Sequence, residues 1–138
     1  MPAFVMIGIL AVATCLFLPW IRPGGVPLDE PEGLTKAIGD LPRGTKIFAY
    51  QPWASWFEFV YPEDPVYSDS RIEIFPRQIW KDYSQVAFAG AGWRAVLDRW
   101  QPDAIVAKSS WDLIPYLKAD PAWTLVHQDK DGLLFVRS

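Results

Sequence analysis

Two regimes of hydrophobic patterning divide the chain. From Ala3 to Ile21 no residue is charged and apolar side chains occupy every face of a would-be helix. From Lys46 onward, apolar residues instead recur in short strand-like and helix-like periods. "TKIFAY" (45–50) is a short strand rich in β-branched and aromatic residues. "WASWFEFVY" (53–61) carries Trp53, Trp56, Phe57 and Val60 at the i, i+3, i+4, i+7 spacing of a helix. "PVYSD" (65–69) predicts a second strand. "EIFPRQIWKDYSQVAF" (73–88) predicts a helix opening at Pro76, with Ile79, Tyr83 and Val86 as its apolar stripe. "GWRAVLDRW" (92–100) adds a short helix with Val96, Leu97 and Trp100 inward.

"PDAIVAKS" (102–109) is the clearest strand, an apolar run bounded by polar residues. "SWDLIPYLKAD" (110–120) reads as a helix capped by Ser109 or Ser110, with Asp112 in its first turn. "WTLVHQ" and "LLFVRS", joined by "DKDG", predict a C-terminal β-hairpin. Strands alternating with helices give an α/β class, a small mostly parallel sheet with flanking helices. The expected organisation is a transmembrane helix over 1–22, a Pro- and Gly-rich linker over 23–44 and an α/β domain over 45–138. "LTKAIGDL" within the linker has room for one or two helical turns.

A helix over residues 3–21 rises roughly 28 Å, close to the hydrocarbon thickness of a bilayer. Trp20 and Arg22 stand at its end as interfacial anchors, and Pro19 falls where a lost hydrogen bond is readily replaced. Two other readings compete. A cleaved signal peptide wants basic residues that "MPAFV" lacks, and a lipoprotein signal is ill served by Thr14 before Cys15. A buried core helix is the other, but apolar residues on every face favour lipid. The missing Lys or Arg ahead of the span also suits a chain that is the tail of a larger membrane protein.

Charge and composition narrow the chemistry. A net charge of −3 with no basic block argues against nucleic-acid binding. One cysteine and one histidine offer neither an intrachain disulfide nor the usual zinc site, and no cofactor motif is present. "GDLPRGTK" is not a phosphate-loop fingerprint.

In open parallel sheets ligands bind beyond the carboxyl ends of the strands. That rule gathers Tyr50 and Gln51, then Ser68, Asp69 and Arg71, then Lys108, Ser109 and Ser110, with His127 from the fourth strand. Gln51, Asp69, Arg71, Glu73, Lys108 and Ser109 are the candidate ligand-binding residues; no residue is assigned a catalytic role. Arg71 and Lys108 supply charge for an anionic sugar or phosphate. The competing reading makes Asp69-x-Arg71-x-Glu73 a strand-end clamp, with Asp69 turning the chain and Arg71 pairing with a carboxylate. Lys81 and Asp82 read as a solvated helix face, and His127 as structural. Seven of the eight tryptophans follow the span, with core packing the first expectation for each. The aromatic "QPWASWFEF" also suits a membrane surface.

The order of an apolar span, "LPRGTKIFAY", "PVYSDSRIEIFP", "WKDY" and "GWRAVLDRWQPDAIV" resembles the C-terminal end of bacterial multi-pass, glycosyltransferase-like membrane proteins of the GT-C type. The pattern covers residues 1 to 110, and "DSR-x-E" followed by "W-x-D-Y" is its most distinctive part. These proteins use polyprenyl-linked sugar donors. The resemblance implies a cell-membrane location with the soluble domain on the extracytoplasmic side. It implies lipid bilayer contact and a glycan or lipid-linked sugar as partner. The family's catalytic carboxylate sits in an early loop between spans, so the resemblance implies a non-catalytic tail. The alternative is a single-pass anchored interaction module with no enzymatic role.

Overall fold

The structure is a computed structural model that describes residues 30–138; the expected membrane span and the first part of the linker lie outside the described residues. Among the described residues no helix is long and apolar enough to cross a membrane.

The elements run α1 (Glu32–Gly39), β1 (Ile47–Ala49), α2 (Gln51–Val60), a 3-10 turn (Ile72–Ile74), α3 (Arg77–Ala87), α4 (Trp93–Trp100), β2 (Ala104–Lys108), α5 (Ile114–Ala119), β3 (Trp123–Gln128) and β4 (Gly132–Arg137). The four strands form one sheet in the order β1-β2-β4-β3. β1 pairs in parallel with β2, placing Phe48 opposite Ile105, while β4 runs antiparallel to both β2 and β3. The sheet is therefore mixed, which corrects the mostly parallel expectation. β1, β2 and β3 do share a direction. The tight turn after β3, however, folds β4 back into the slot between β2 and β3, so only one neighbouring pair is parallel. Gly132 opens β4 at that slot because a Cβ there would strike the carbonyl oxygen of Ala107.

The expected strand at 65–69 shrinks to a single parallel bridge between Ile47 and Val66. Ile47 N donates to Pro65 O at 2.9 Å and Tyr67 N to Ile47 O at 3.0 Å. Pro65 brings no N–H of its own, and the Asp69 side chain then captures Arg71 N at 2.7 Å, turning the chain away.

Both faces of the sheet are covered, and alternation along the strands sorts the side chains between them. Phe48, Ile105, Ala107, Leu133 and Phe135 face α3, α4 and α5. Ile47, Ala49, Ala104, Val106 and Leu134 face α1 and α2. The segment read as linker thus holds a core helix: Leu34 and Ile38, one turn apart, are fully buried. Trp56 Nε1 donates to Thr35 Oγ1 at 3.0 Å and Tyr61 OH to Thr35 O at 2.7 Å, fastening α1 to α2. The helix expected from Ser109 or Ser110 starts later, at Ile114, with Leu113 at its N-cap; Ser109 Oγ reaches Asp131 O instead. Pro115 in its first turn explains the delay, since proline needs no donor there.

Candidate functional site

β1 is followed at once by Tyr50, the N-cap of α2, with Pro52 in the first turn. β2 ends alongside it in Lys108. The bridge at Val66 brings the 67–71 segment to the same edge, so Gln51, Asp69 and Arg71 converge there. Asp69 is buried, and its carboxylate accepts from Arg71 N and Arg71 Nε, both at 2.7 Å, and from Arg71 Nη2. Arg71 Nη2 also donates to both oxygens of Glu58 on α2, at 2.9 and 3.0 Å. Gln51 Nε2 donates to Asp69 O at 3.1 Å, and Ser55 on α2 shares a 2.6 Å hydrogen bond with Ser70.

The electrostatics follow the geometry. Hydrogen bonds from Arg71 hold the Asp69 carboxyl below the usual range despite its burial. The paired carboxylates in turn keep the guanidinium firmly charged. Arg71 bridges the two carboxylates, so the network keeps one net negative charge, with Asp69 at its buried end and Glu58 at its exposed end. Asp69-x-Arg71 is a clamp that ties the loop after Val66 to the flank of α2. Glu73 is not part of it: it lies exposed on the 3-10 turn and meets no ion-pair partner among the described residues.

Next to the clamp stands an aromatic wall. Lys108 Nζ lies 3.4 Å from Tyr50 OH and 4.8 Å from the centre of the Tyr50 ring. Tyr50 meets Trp53 edge-on at 4.9 Å between centroids and Trp111 at 6.4 Å, while Tyr83 meets Trp111 at 5.8 Å. Tyr83 OH accepts from Gln51 N at 3.0 Å, joining the wall to the clamp. Burial pushes the Tyr83 phenol up to about 12, so it stays protonated in neutral water. Ser109 points away, to the hairpin turn.

The structure therefore brings Gln51, Asp69 and Arg71 into one network and Lys108 beside it, and leaves Glu73 and Ser109 outside. Glu58 and Tyr83 complete the arrangement without having been singled out as polar partners. Glu58 sat inside an aromatic helix, and Tyr83 read only as a member of an apolar stripe. A signal for Glu58 was present: it stands one turn after Ser55 on a helix that follows β1 directly, opposite the Asp-Ser-Arg turn.

A second buried carboxylate corrects another expectation. Asp82, read as solvated, is buried and accepts from Gln78 Nε2 at 2.8 Å, Tyr67 OH at 3.2 Å and Arg99 Nη2. Burial pushes its carboxyl up, but the hydrogen bonds from Gln78, Arg99 and Tyr67 outweigh that and the net shift is downward. Burial and the Asp82 charge together push the Tyr67 phenol up to about 12. Helix α4, carrying Arg99, supplies the charge that makes Asp82 tolerable in the core.

His127 Nε2 lies 2.9 Å from Asp129 Oδ2 beside Gly33 of α1, with no serine or cysteine nucleophile in that contact. Among the described residues no three metal-ligating side chains converge. Cavities of about 400 and 370 Å3 lie near the amino ends of β1 and β2, not at the clamp. Arg43, Thr45, Asp103 and Arg137 help to line the first. Between the two cavities Asp64 accepts from Gly44 N at 2.6 Å and Thr45 N at 3.1 Å, and Arg43 pairs with exposed Glu63. Comparison with family models, with curated proteins and with solved structures finds no match for this chain.

Proposed function

We propose that residues 30–138 are a non-catalytic interaction module, anchored in the cell membrane by the apolar segment over residues 3–21 and facing outward from the cytoplasm. The observation that carries this reading is the hydrogen-bonded Asp69–Arg71–Glu58 network. A catalytic carboxylate needs access and a tuned proton affinity, whereas Asp69 is buried and held ionised by its arginine. The resemblance to glycosyltransferase-like membrane proteins supports the same assignment, with the module serving as the tail of a larger transferase whose chemistry lies elsewhere.

A second reading rests on the aromatic wall. Tyr50, Trp53 and Trp111 with Lys108 and Gln51 combine ring faces, a cation and amide groups at the carboxyl ends of parallel strands, a composition suited to a glycan or a polyprenyl-linked sugar phosphate.

Titration of the full chain with a polyprenyl-phosphate sugar, followed by tryptophan emission, separates the two. The module reading predicts no saturable change. A saturable change that Lys108→Ala abolishes, with the near-UV circular dichroism intact, would establish sugar recognition and displace the module reading.

A further inference from the structure

The geometry points to a carboxylate-bearing sugar as the ligand of the aromatic wall, its carboxylate held by Lys108 Nζ with the Tyr50 and Tyr83 hydroxyls. This rests on the reading of the wall as a glycan site and adds the group that the site selects.

Lys108 stands apart from the other cations. Every other lysine and arginine among the described residues is exposed, whereas Lys108 is half-buried at the end of β2. It nevertheless forms no ion pair among those residues. Its ammonium has one hydrogen-bond partner there, Tyr50 OH at 3.4 Å, and lies 4.8 Å from the centre of the same ring. A cation drawn off the surface with no anion beside it is costly unless a ligand supplies the anion. The clamp does not: Asp69 and Glu58 both pair with Arg71, and neither pairs with Lys108.

The groups beside it are donors without acceptors. Tyr50 OH accepts from Lys108 and Tyr83 OH accepts from Gln51 N, yet among the described residues neither hydroxyl hydrogen finds an acceptor. Burial, with the Tyr50 phenol nearby, raises the Tyr83 phenol to about 12, so its hydrogen is there to donate. Trp80, edge-on to Tyr83 at 6.3 Å, buries an indole N–H that also lacks an acceptor. Trp111 joins the two tyrosines, 6.4 Å from Tyr50 and 5.8 Å from Tyr83. One unopposed positive charge beside two free phenol hydrogens calls for an acceptor-only group of single negative charge.

The surroundings favour carboxylate over phosphate. A phosphate is best met by free N–H groups at a helix N-terminus or by an arginine fork. At α2 those N–H groups are engaged or missing: Gln51 N goes to Tyr83 OH, Pro52 has none, and Trp53 N goes to Tyr50 O. Arg71 is committed to the clamp. Trp53 and Trp111 are only 4% and 7% exposed, so Tyr50, half-buried, has more ring left for a sugar to rest on.

The test titrates the full chain, in mild detergent, with methyl β-glucuronide and with methyl β-glucoside, which carry a carboxylate and a hydroxymethyl group at the same carbon. Isothermal titration calorimetry is expected to show the glucuronide binding about tenfold more tightly. Lys108→Met should bring the two sugars to equal affinity, and Tyr50→Phe, which keeps the ring, should narrow the preference about threefold. Near-UV circular dichroism checks that each variant is folded, and if Lys108→Met is not, Tyr50→Phe decides. Equal affinities in the unaltered chain overturn the carboxylate inference and leave the glycan reading standing. Binding of neither sugar overturns both. A preference that survives both substitutions, or glucose 1-phosphate binding more tightly than the glucuronide, also overturns the inference.

Discussion

The two faces of the sheet are built on different plans. One is covered by three helices and filled with rings: Phe48 lies 4.9 Å from Tyr67, 5.8 Å from Tyr83, 6.1 Å from Trp111 and 6.3 Å from Trp100. The other is covered by α1 and α2 alone, around Leu34, Ile38, Trp53 and Phe57, and its outer flank carries the exposed Phe59. The difference teaches how a small domain divides its labour. Large aromatic rings are concentrated on one face, and each buries a large apolar area there. The thinner face is then left with a helix whose outward side is available for contact, held in place by charge pairs instead of by a third layer.

The comparison is sharpened most by cutting into each face. Phe48→Ala removes the ring at the centre of the thick face and is expected to cost about 3–5 kcal/mol in urea unfolding of the full chain followed by tryptophan emission. Leu34→Ala removes a fully buried side chain from α1 and is expected to cost about 2–4 kcal/mol. A negligible loss at Leu34 would mean that α1 only drapes over the sheet and that the thin face rests on α2 alone.

Titration probes the same division at lower amplitude. Asp69 on the α2 side, and Asp82 and Asp129 elsewhere, all have folded-state values below their unfolded ones. Between those two values the unfolded chain holds more protons, so stability rises with pH there and is lost as pH falls below about 4. Tyr67 and Tyr83, on the thick face, are raised to about 12. Between about 10 and 12 the unfolded chain releases protons that the folded chain keeps, so their contribution is lost as pH rises through that window. Melting temperature against pH should therefore fall at both ends, and Asp69→Asn should flatten part of the acid limb only. Smallest of all is Phe59→Ser, expected to change unfolding by no more than about 0.5 kcal/mol because the side chain is already in solvent.

Much of this plan is legible in the sequence and some is not, for physical reasons. β1, β2, the four later helices and the hairpin announce themselves through periodicity and turn residues, and each stands within a few residues of its expected place. Sheet order is not written in local pattern: nothing in "DKDG" tells whether β4 returns to the outside of β3 or into the gap beside β2. Asp82 looked solvated because its partners, Tyr67 and Arg99, lie 15 and 17 residues away, and only tertiary packing joins them. Leu34 and Ile38 were diluted by the surrounding prolines and glycines. The clamp was half visible. Asp69 and Arg71 could be paired with a turn by spacing, but Glu58 enters from another element, and Glu73, which shared the spacing, stays out.

The claim that Asp69–Arg71–Glu58 is a structural clamp is tested most directly by a double-mutant cycle on melting temperature in the full chain, with Glu58→Ala, Arg71→Ala and the pair together. The account predicts that each single substitution lowers the melting temperature, Arg71→Ala more because it also strands Asp69, and that the double variant melts no lower than Arg71→Ala alone. Single variants that melt as the unaltered chain does, or losses that simply add, would contradict it and return Arg71 to the list of candidate ligand contacts.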